Sequence, residues 1–420
     1  MSGIEYKNSG IFWQPFIPKS WHVTRLKYIL KKLSREKGAD DELLVCSNSG
    51  DIRKRGDSRL GLVANSNDIY QGVRSGDLLI HGMDTWHGAI AVSKFDGMCT
   101  PVVHVCDSSQ NKEYVATYLR NMASQQIFKL ISNGVRQNTS DFRSWDKLSR
   151  IPIPLPPLVE QEKIVSYLED KTSKIDEVIL AKEKQIKLLQ ELKDAEIANV
   201  ITRGLNPDVK MKRYDSLLSS ECPEHWCITR NKSFMSLVGE KVGRQSVSYT
   251  LLSLTTKGVI IRDVESGKGK FPKDFDTYQI VQRGELVFCL FDIDETPRTV
   301  GIVETGGMVT GAYTVLRVNE KYAIPEYVYY YYLCVDNIKA LKPYYSGLRK
   351  TVRADKFLQL YIPVPSVEEQ RTIIAYIENK NNKIEALVKN LEAEIAYLKE
   401  YKQKLVADCV IGQINVQCEQ

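Results

Sequence analysis

"IPIPLPPLVEQEKIVSYLEDKTSKID" occupies Ile151–Asp176, and "YIPVPSVEEQRTIIAYIENKNNKIE" occupies Tyr361–Glu385. One chain writes a proline-rich lead-in, a Glu-Gln pair and a long apolar-periodic run twice, which signals a duplicated unit. Outward from the two copies the likeness continues. "IPKSWHVTRLK" (Ile17–Lys27) returns as "CPEHWCITRNK" (Cys222–Lys232), with Trp226 standing 205 residues after Trp21. "SGDLLI" returns as "RGELVF", Gly284 following Gly76 by 208, and "DGMCT" returns as "GGMVT", Met308 following Met98 by 210. "KEYVATYL" returns as "PEYVYYYY" and "NGVRQ" as "SGLRK", with Tyr327 and Arg349 each 213 residues after Tyr114 and Arg136. Gln370 follows Gln161 by 209. The order is kept and the offset drifts only between blocks, where loops belong. The chain therefore reads as two copies of a unit of 205–213 residues, each a mixed globular part followed by a long helix.

The globular part is β-rich. "GAIAVSKF" and "MCTPVVHV", joined across Asp96-Gly97, predict a hairpin, and the second copy sets Thr305-Gly306-Gly307 between "RTVGIVE" and "MVTGAYTVLRV". A helix-like segment follows each, Glu113–Ile131 and Glu326–Leu341. The run Tyr329–Tyr332 resembles a base-stacking platform, but its repeat-matched place within that helix reads as packing. Pro156-Pro157 precedes the first long helix, and Ser366-x-x-Glu369 makes a capping box before the second. Ser173 and Asn382 align, each three residues before an acid, and predict a fresh helix start after a break. Beyond them Ile175, Ile179, Ile186 and Leu189 match Ile384, Val388, Ile395 and Leu398, with Leu391 and Leu405 also in the second run. The 4-3-4-3 spacing is a coiled-coil seam, with Lys182 standing where Leu391 stands. Runs of ~28 residues would span roughly 42 Å at 1.5 Å per residue. Two matched seams satisfy each other best as antiparallel helices about a pseudo-twofold axis. Globular parts held about 35–45 Å apart would suit one turn of B-DNA, ~34–36 Å. The expected class is α+β: two similar β-rich domains (1–155 and 204–362) separated by helical regions 156–203 and 363–420.

Composition narrows the function. At 420 residues the chain suits two or more domains, and 43% hydrophobic with 26% charged residues is globular. No apolar run approaches the ~20 residues of a membrane span, and "MSGIEYKNSG" lacks a signal pattern, so no membrane role and a cytoplasmic location are expected. Nine scattered cysteines without a Cys-x-x-Cys pair suit reduced thiols. "CPEHWC" carries two cysteines and a histidine, but the first copy has Ile17, Ser20 and His22 there, so no metal site is expected. A net charge of +6 permits nucleic-acid binding without requiring it. There is no phosphate-binding Gly-x-x-x-x-Gly-Lys-Ser/Thr, the nearest being "SGKGK"; there is no Gly-x-Ser-x-Gly and no His-Glu-x-x-His. The Asn/Asp-Pro-Pro-Tyr/Phe loop of amino-methyltransferases is also missing. His81, His87 and His104 have no histidine counterparts in the second copy. The chain reads as a binder.

Polar and basic loops name the candidates. Copy one offers Arg53, Lys54, Arg55 and Arg59, then Arg136, Gln137 and Asn138; copy two offers Lys257, Arg262, Lys268 and Lys270, then Arg349, Lys350 and Arg353. Arg, Asn and Gln suit guanine and adenine edges, and Lys and Arg suit phosphates. Together "NSGIFW…IPKSWHVTRLKY", "GDLLIHGMDTWHGAIAVSKFDG", "GVRQN", "IPIPLPPLVEQ" and "ITRGLNPDVKMK" resemble the specificity subunits of type I restriction–modification systems over nearly the whole chain. The resemblance implies two target recognition domains that read the halves of a bipartite double-stranded DNA site, and helices that set the spacer. It implies a noncatalytic chain binding no cofactor. Its partners would be two modification subunits that use S-adenosylmethionine to methylate adenine, and restriction subunits that cleave DNA with ATP and Mg. Glu160, Gln161, Glu369 and Gln370 are docking candidates for the modification subunits, with helix capping as the alternative. The second copy opens with "MKRYDSLLSSECPEHW", without the Gly-Ile-x-Trp of the first. Rival readings are a stand-alone methyltransferase or nuclease, a coiled-coil protein scaffold, and the recognition subunit of a related system with a combined methylase–nuclease partner.

Overall fold

The computed structural model describes residues 4–56, 69–132, 141–262 and 275–416. Among them are four helices of three turns or more: α1 (Lys112–Ser124), α2 (Leu158–Arg203), α3 (Pro325–Asn337) and α4 (Val367–Val410). The chain divides into two compact units, one of residues 1–182 with 393–420 and one of residues 183–392. Each unit therefore holds one globular part, the start of the long helix that follows it, and the end of the long helix from the other copy.

Strand pairing is the same in both units. The first has an antiparallel four-stranded sheet in the order Leu30–Lys32, Val103–Ser108, Leu78–His81, Ile90–Val92; the second has Met235–Val238, Thr314–Val318, Leu286–Phe288, Val300–Ile302. Around each, among the described residues, lie four two-stranded pairs. One is a ribbon that joins the tryptophan segment to the proline lead-in, His22–Arg25 with Pro152–Leu155 and Cys227–Arg230 with Tyr361–Val364. A two-stranded ribbon has spare edges, so prolines lacking an N–H are tolerated there, while Ile153, Leu155, Ile362 and Val364 turn inward.

The expected Asp96-Gly97 hairpin does not form. Ile90–Val92 pairs with Leu78–His81, Gly97–Cys99 pairs with Gln71–Val73, and Val103–Ser108 lies between Leu30–Lys32 and Leu78–His81. Gly97 is a close-approach glycine: a Cβ there would lie 2.5 Å from Glu42 O, and one at Gly307 would lie 2.4 Å from Thr250 O. The repeated glycine thus records the close approach of a neighbouring segment, not a turn.

The expected helix break at Ser173 and Asn382 is also missing. Both long helices are continuous, 46 and 44 residues, and the Ser173 hydroxyl donates to Asp170 O (3.0 Å) within the helix. The seam itself is present. In the first unit Asp176 accepts from Lys402 (2.6 Å) and Glu394 from Lys182; in the second, Glu385 accepts from Lys193 (2.8 Å) and Glu196 from the Tyr376 hydroxyl. In each unit the numbers rise on α2 as they fall on α4, so the helices run antiparallel. Lys182, Lys193 and Lys402 are half-buried seam positions whose ammonium groups reach carboxylates on the partner helix.

Each unit closes around the far end of the other copy's helix. Leu405, Cys409 and Val410 enter the first core with Trp21, Tyr114 and Ile164, and Ile197, Val200 and Ile201 enter the second with Trp226, Tyr327 and Ile373. The repeat-matched tyrosines mark the join: the Tyr114 hydroxyl donates to Val410 O (3.3 Å) and the Tyr327 hydroxyl to Ile201 O (3.4 Å). Within the tyrosine run, Tyr331 and Tyr332 are fully buried and Tyr329 and Tyr330 half-buried, as packing requires.

Candidate nucleic-acid interface

The Glu-Gln pair is best understood from its contacts. Trp21 and Trp226 are 0% and 1% exposed, and each indole N–H donates to the glutamate of a lead-in, Glu160 at 2.9 Å and Glu369 at 3.0 Å. The glutamines are both 0% exposed. The Gln161 amide N–H donates to Pro156 O (2.9 Å) and its carbonyl accepts Asn111 N–H (3.0 Å); Gln370 donates to Pro365 O (2.9 Å) and accepts Ile324 N–H (2.8 Å). Asn111 and Ile324 are the residues that open α1 and α3. Each glutamine thus fastens a long helix to the globular helix beside it, and its side chain faces no partner; direct docking through Gln161 and Gln370 is corrected on that ground. Glu160 and Glu369 stay half-buried. The capping box is half formed: Glu369 N–H donates to Ser366 Oγ (3.2 Å), but the Glu369 carboxylate turns to His225 (2.9 Å) and Trp226.

The basic candidates sort by position. In the second unit Phe288, Val300 and Thr314 pair at one end of the sheet, and the Cys289–Thr299 loop leaves from there. The Ser346–Thr351 turn is tied to that loop, since Asp292 N–H donates to Arg349 O (2.9 Å) and Val352 N–H to Leu290 O (2.8 Å). Phe291 stacks on Tyr313 at the same end, and burial raises the Tyr313 pKa. Arg262 follows the Leu252–Ile261 hairpin, while Arg349 and Lys350 are therefore neighbours at this end of the sheet. Arg353 follows immediately, its guanidinium on Asp355 (3.1 Å), while Lys257 sits at the turn of the Leu252–Ile261 hairpin, away from Arg262.

In the first unit the matching hairpin is Leu44–Cys46 with Ile52–Lys54. Arg55 N–H donates to Leu43 O and Arg262 N–H to Leu251 O, both at 2.9 Å, so Arg55 and Arg262 occupy one position in two copies. Sequence alignment of the blocks does not reveal this match, because the strands between differ in composition. Arg53 pairs with Asp51 (3.5 Å) and Lys54 with Glu42. Arg59, Arg136, Gln137, Asn138, Lys268 and Lys270 lie outside the described residues. The segments flanking Arg136 are joined, Ser132 Oγ donating to Asp141 (3.0 Å).

Sequence reasoning missed the acids that shape this end. Lys350 Nζ lies 3.2 Å from Asp294 and 3.6 Å from Glu295, and Lys342 is 3.5 Å from Asp294. The hydrogen bond to Asp294 raises the Lys350 pKa. The signal was legible only as "FDIDE", with nothing in its spacing to connect it to a lysine 56 residues on.

The surroundings favour binding over covalent chemistry. Burial pushes the thiols of Cys46, Cys99, Cys106 and Cys334 up to about 12, so they stay protonated. His81 Nδ1 accepts Asp84 N–H (3.1 Å) as a turn cap, and burial lowers its pKa. In the "CPEHWC" stretch Cys222 is buried, Cys227 exposed, and His225 is engaged with Glu369. Among the described residues no group of three or more His, Cys, Asp and Glu is placed to hold a metal, and no helix is long and apolar enough to cross a membrane.

Known proteins resemble the chain in sequence and in fold. The profile of the type I restriction modification DNA specificity domain matches twice, at residues 88–188 and 303–397. A putative type I restriction enzyme MjaX specificity subunit of Methanocaldococcus jannaschii is 24% identical over 413 residues, covering 94% of this chain and 84% of that protein. The MjaVIII specificity subunit of the same organism is 22% identical, covering 95% and 94%. A solved chain of a type I R-M system, from work on its complex assembly and conformational transition, superposes with a TM-score of 0.67 at 16% identity over 95% of this chain and 99% of that one. The HsdS subunit from Thermoanaerobacter tengcongensis gives 0.51 at 16% identity, covering 95% and 98%. With the DNA specificity domain matched once in each copy and specificity subunits aligned along 94% or more of its length, the chain reads as a type I restriction–modification specificity subunit.

Proposed function

We propose that each unit reads one half of a bipartite duplex DNA site, and that α2 and α4, shared between the units, set the spacer. The observation that carries this reading is a matched scaffold with unmatched side chains. Arg55 and Arg262 stand at one backbone position, yet Arg53 and Lys54 precede the first whereas Ile260 and Ile261 precede the second. Two frames of one build with different groups at the same edge suit two different base sequences.

The cofactors belong to the partners in this reading: S-adenosylmethionine with two modification subunits, ATP and Mg with restriction subunits. Glu160 and Glu369, half-buried at the starts of the long helices, remain the docking proposal. The scaffold alternative is weakened by the ion pairs that the seam lysines make with the facing helix, which leave the seam occupied within the chain.

Footprinting of the chain assembled with its modification subunit tests the reading. Two protected patches flanking an unprotected spacer are expected, in one sequence context. Protection without sequence preference, or none, would favour the scaffold.

A further inference from the structure

The Ser346–Thr351 turn has a fixed stem and an unsupported crown. Ser346 N–H donates to Thr351 O (3.0 Å) and Thr351 N–H returns to Ser346 O (3.2 Å). Gly347 (φ +76°) and Lys350 (φ +41°) fold the tip, and a left-handed lysine is held only where its surroundings compensate. Here Asp294 and Glu295 hold its ammonium group, Asp292 N–H holds the Arg349 carbonyl, and Val352 N–H ties the strand that follows to Leu290. The crown is the opposite. Leu348 is 104% exposed, as open as in an extended peptide. Arg349 is exposed, and among the described residues its guanidinium has no partner. Among the described residues no packing accounts for a leucine in that position.

We propose that this turn enters the major groove of the half-site read by the second unit, with Arg349 hydrogen-bonding a guanine and Leu348 touching a neighbouring thymine methyl. The inference rests on the DNA-reading function proposed above and deepens it. A turn closed by the single Ser346–Thr351 bridge is small against a major groove about 12 Å wide, and a guanidinium fork matches guanine O6 and N7 while an apolar side chain matches the thymine C5 methyl. Charge supports the occupant: with Lys342 and Lys350 engaged by Asp294 and Glu295 at the foot of the turn, the Arg349 guanidinium is the cation that the crown presents outward. Lys350, engaged with Asp294 and Glu295, acts as a positioning residue that holds the crown.

The test uses the chain assembled with its modification subunit. Methylation mapping with the wild-type chain first supplies the two half-sites; then Arg349→Ala, Arg349→Lys and Leu348→Ala are compared on duplexes altered at single positions. Both arginine variants are expected to lose about 5- to 150-fold discrimination at one guanine of one half-site. Lysine keeps the charge and loses the fork, so it should not restore the wild-type preference. Leu348→Ala is expected to erase a preference for thymine over uracil within a base or two of that guanine. Melting temperatures should match wild type, since neither side chain packs. Full restoration by Arg349→Lys, or weakening that is uniform across sequences, would reduce the turn to a phosphate contact and overturn the proposal while leaving the DNA-reading function intact. A wild-type chain that directs no two-part motif would overturn both.

Discussion

A buried tryptophan must place its one polar hydrogen, and in both copies it does so on a glutamate 139 or 143 residues away. Glu160→Ala removes the acceptor and leaves the Trp21 N–H unpaired, so it should lower unfolding free energy by about 1–3 kcal/mol in urea titrations. Glu160→Gln keeps an acceptor and should lose less than half as much. The Glu-Gln pair was plain in the sequence as a thing repeated; what it does was not, because no spacing rule connects residue 160 to residue 21. Docking and helix capping both suited it, because exposure is the usual fate of charged and amide side chains; burial removes the docking reading only for Gln161 and Gln370. A second residue-scale effect concerns pH. His104 is buried with Nε2 donating to Phe142 O (2.8 Å); burial lowers its pKa, Lys32 and His81 add to that, and the Phe142 carbonyl opposes it. The unfolded chain takes up a proton near 6.5 where the folded chain does not, so stability is full above that value and falls as pH drops through it. Melting temperature should decline from pH 7.5 to 5.5, and His104→Asn should flatten the decline; an unchanged slope would show that other groups govern it.

At the scale of elements, the long helices end alike. Gly204 (φ +74°) follows α2 and Gly412 (φ +79°) follows α4, each against the buried tryptophan of the unit it completes. A Cβ at Gly204 would meet Glu369 Oε1 at 3.1 Å, whereas one at Gly412 would meet Pro18 Cγ at 2.6 Å. Both alanine variants should destabilise by about 1–2 kcal/mol for the left-handed backbone, and Gly412→Ala by more because the proline ring cannot swing aside. Thermal unfolding of the pair decides the order. The seam period was legible and correct in phase, since 4-3 spacing has few other meanings. The helix break was wrong because Ser173 and Asn382 also fit a continuous exposed face, where a hydroxyl turns back to its own backbone. The hairpin at Gly97 failed for a related reason: glycine marks either a turn or a close approach, and only the neighbouring segment tells which.

At the scale of the molecule, the two-copy plan followed from offsets of 205–213 residues, but the exchange of helix ends did not. Tyr114 reaches Val410 across 296 residues, a contact that leaves no periodicity in the sequence. Of the candidate interface, the Gly-x-Arg block was visible, whereas the equivalence of Arg55 and Arg262 needed the strand register. If α2 and α4 set the spacer, inserting seven residues in each where the units divide, after Lys182 and before Ala393, keeps the seam in phase. Seven residues add about 10 Å of helix, or roughly 3 base pairs, so the mapped site should gain that much spacer with both halves unchanged. The central claim, that this chain specifies a bipartite site for a modification enzyme, is tested most directly by mapping methylated adenines in DNA from cells carrying the gene beside its modification partner. One two-part motif, lost when the chain is deleted, is the predicted result; an active modification subunit that yields no such motif, or one indifferent to the deletion, would contradict it.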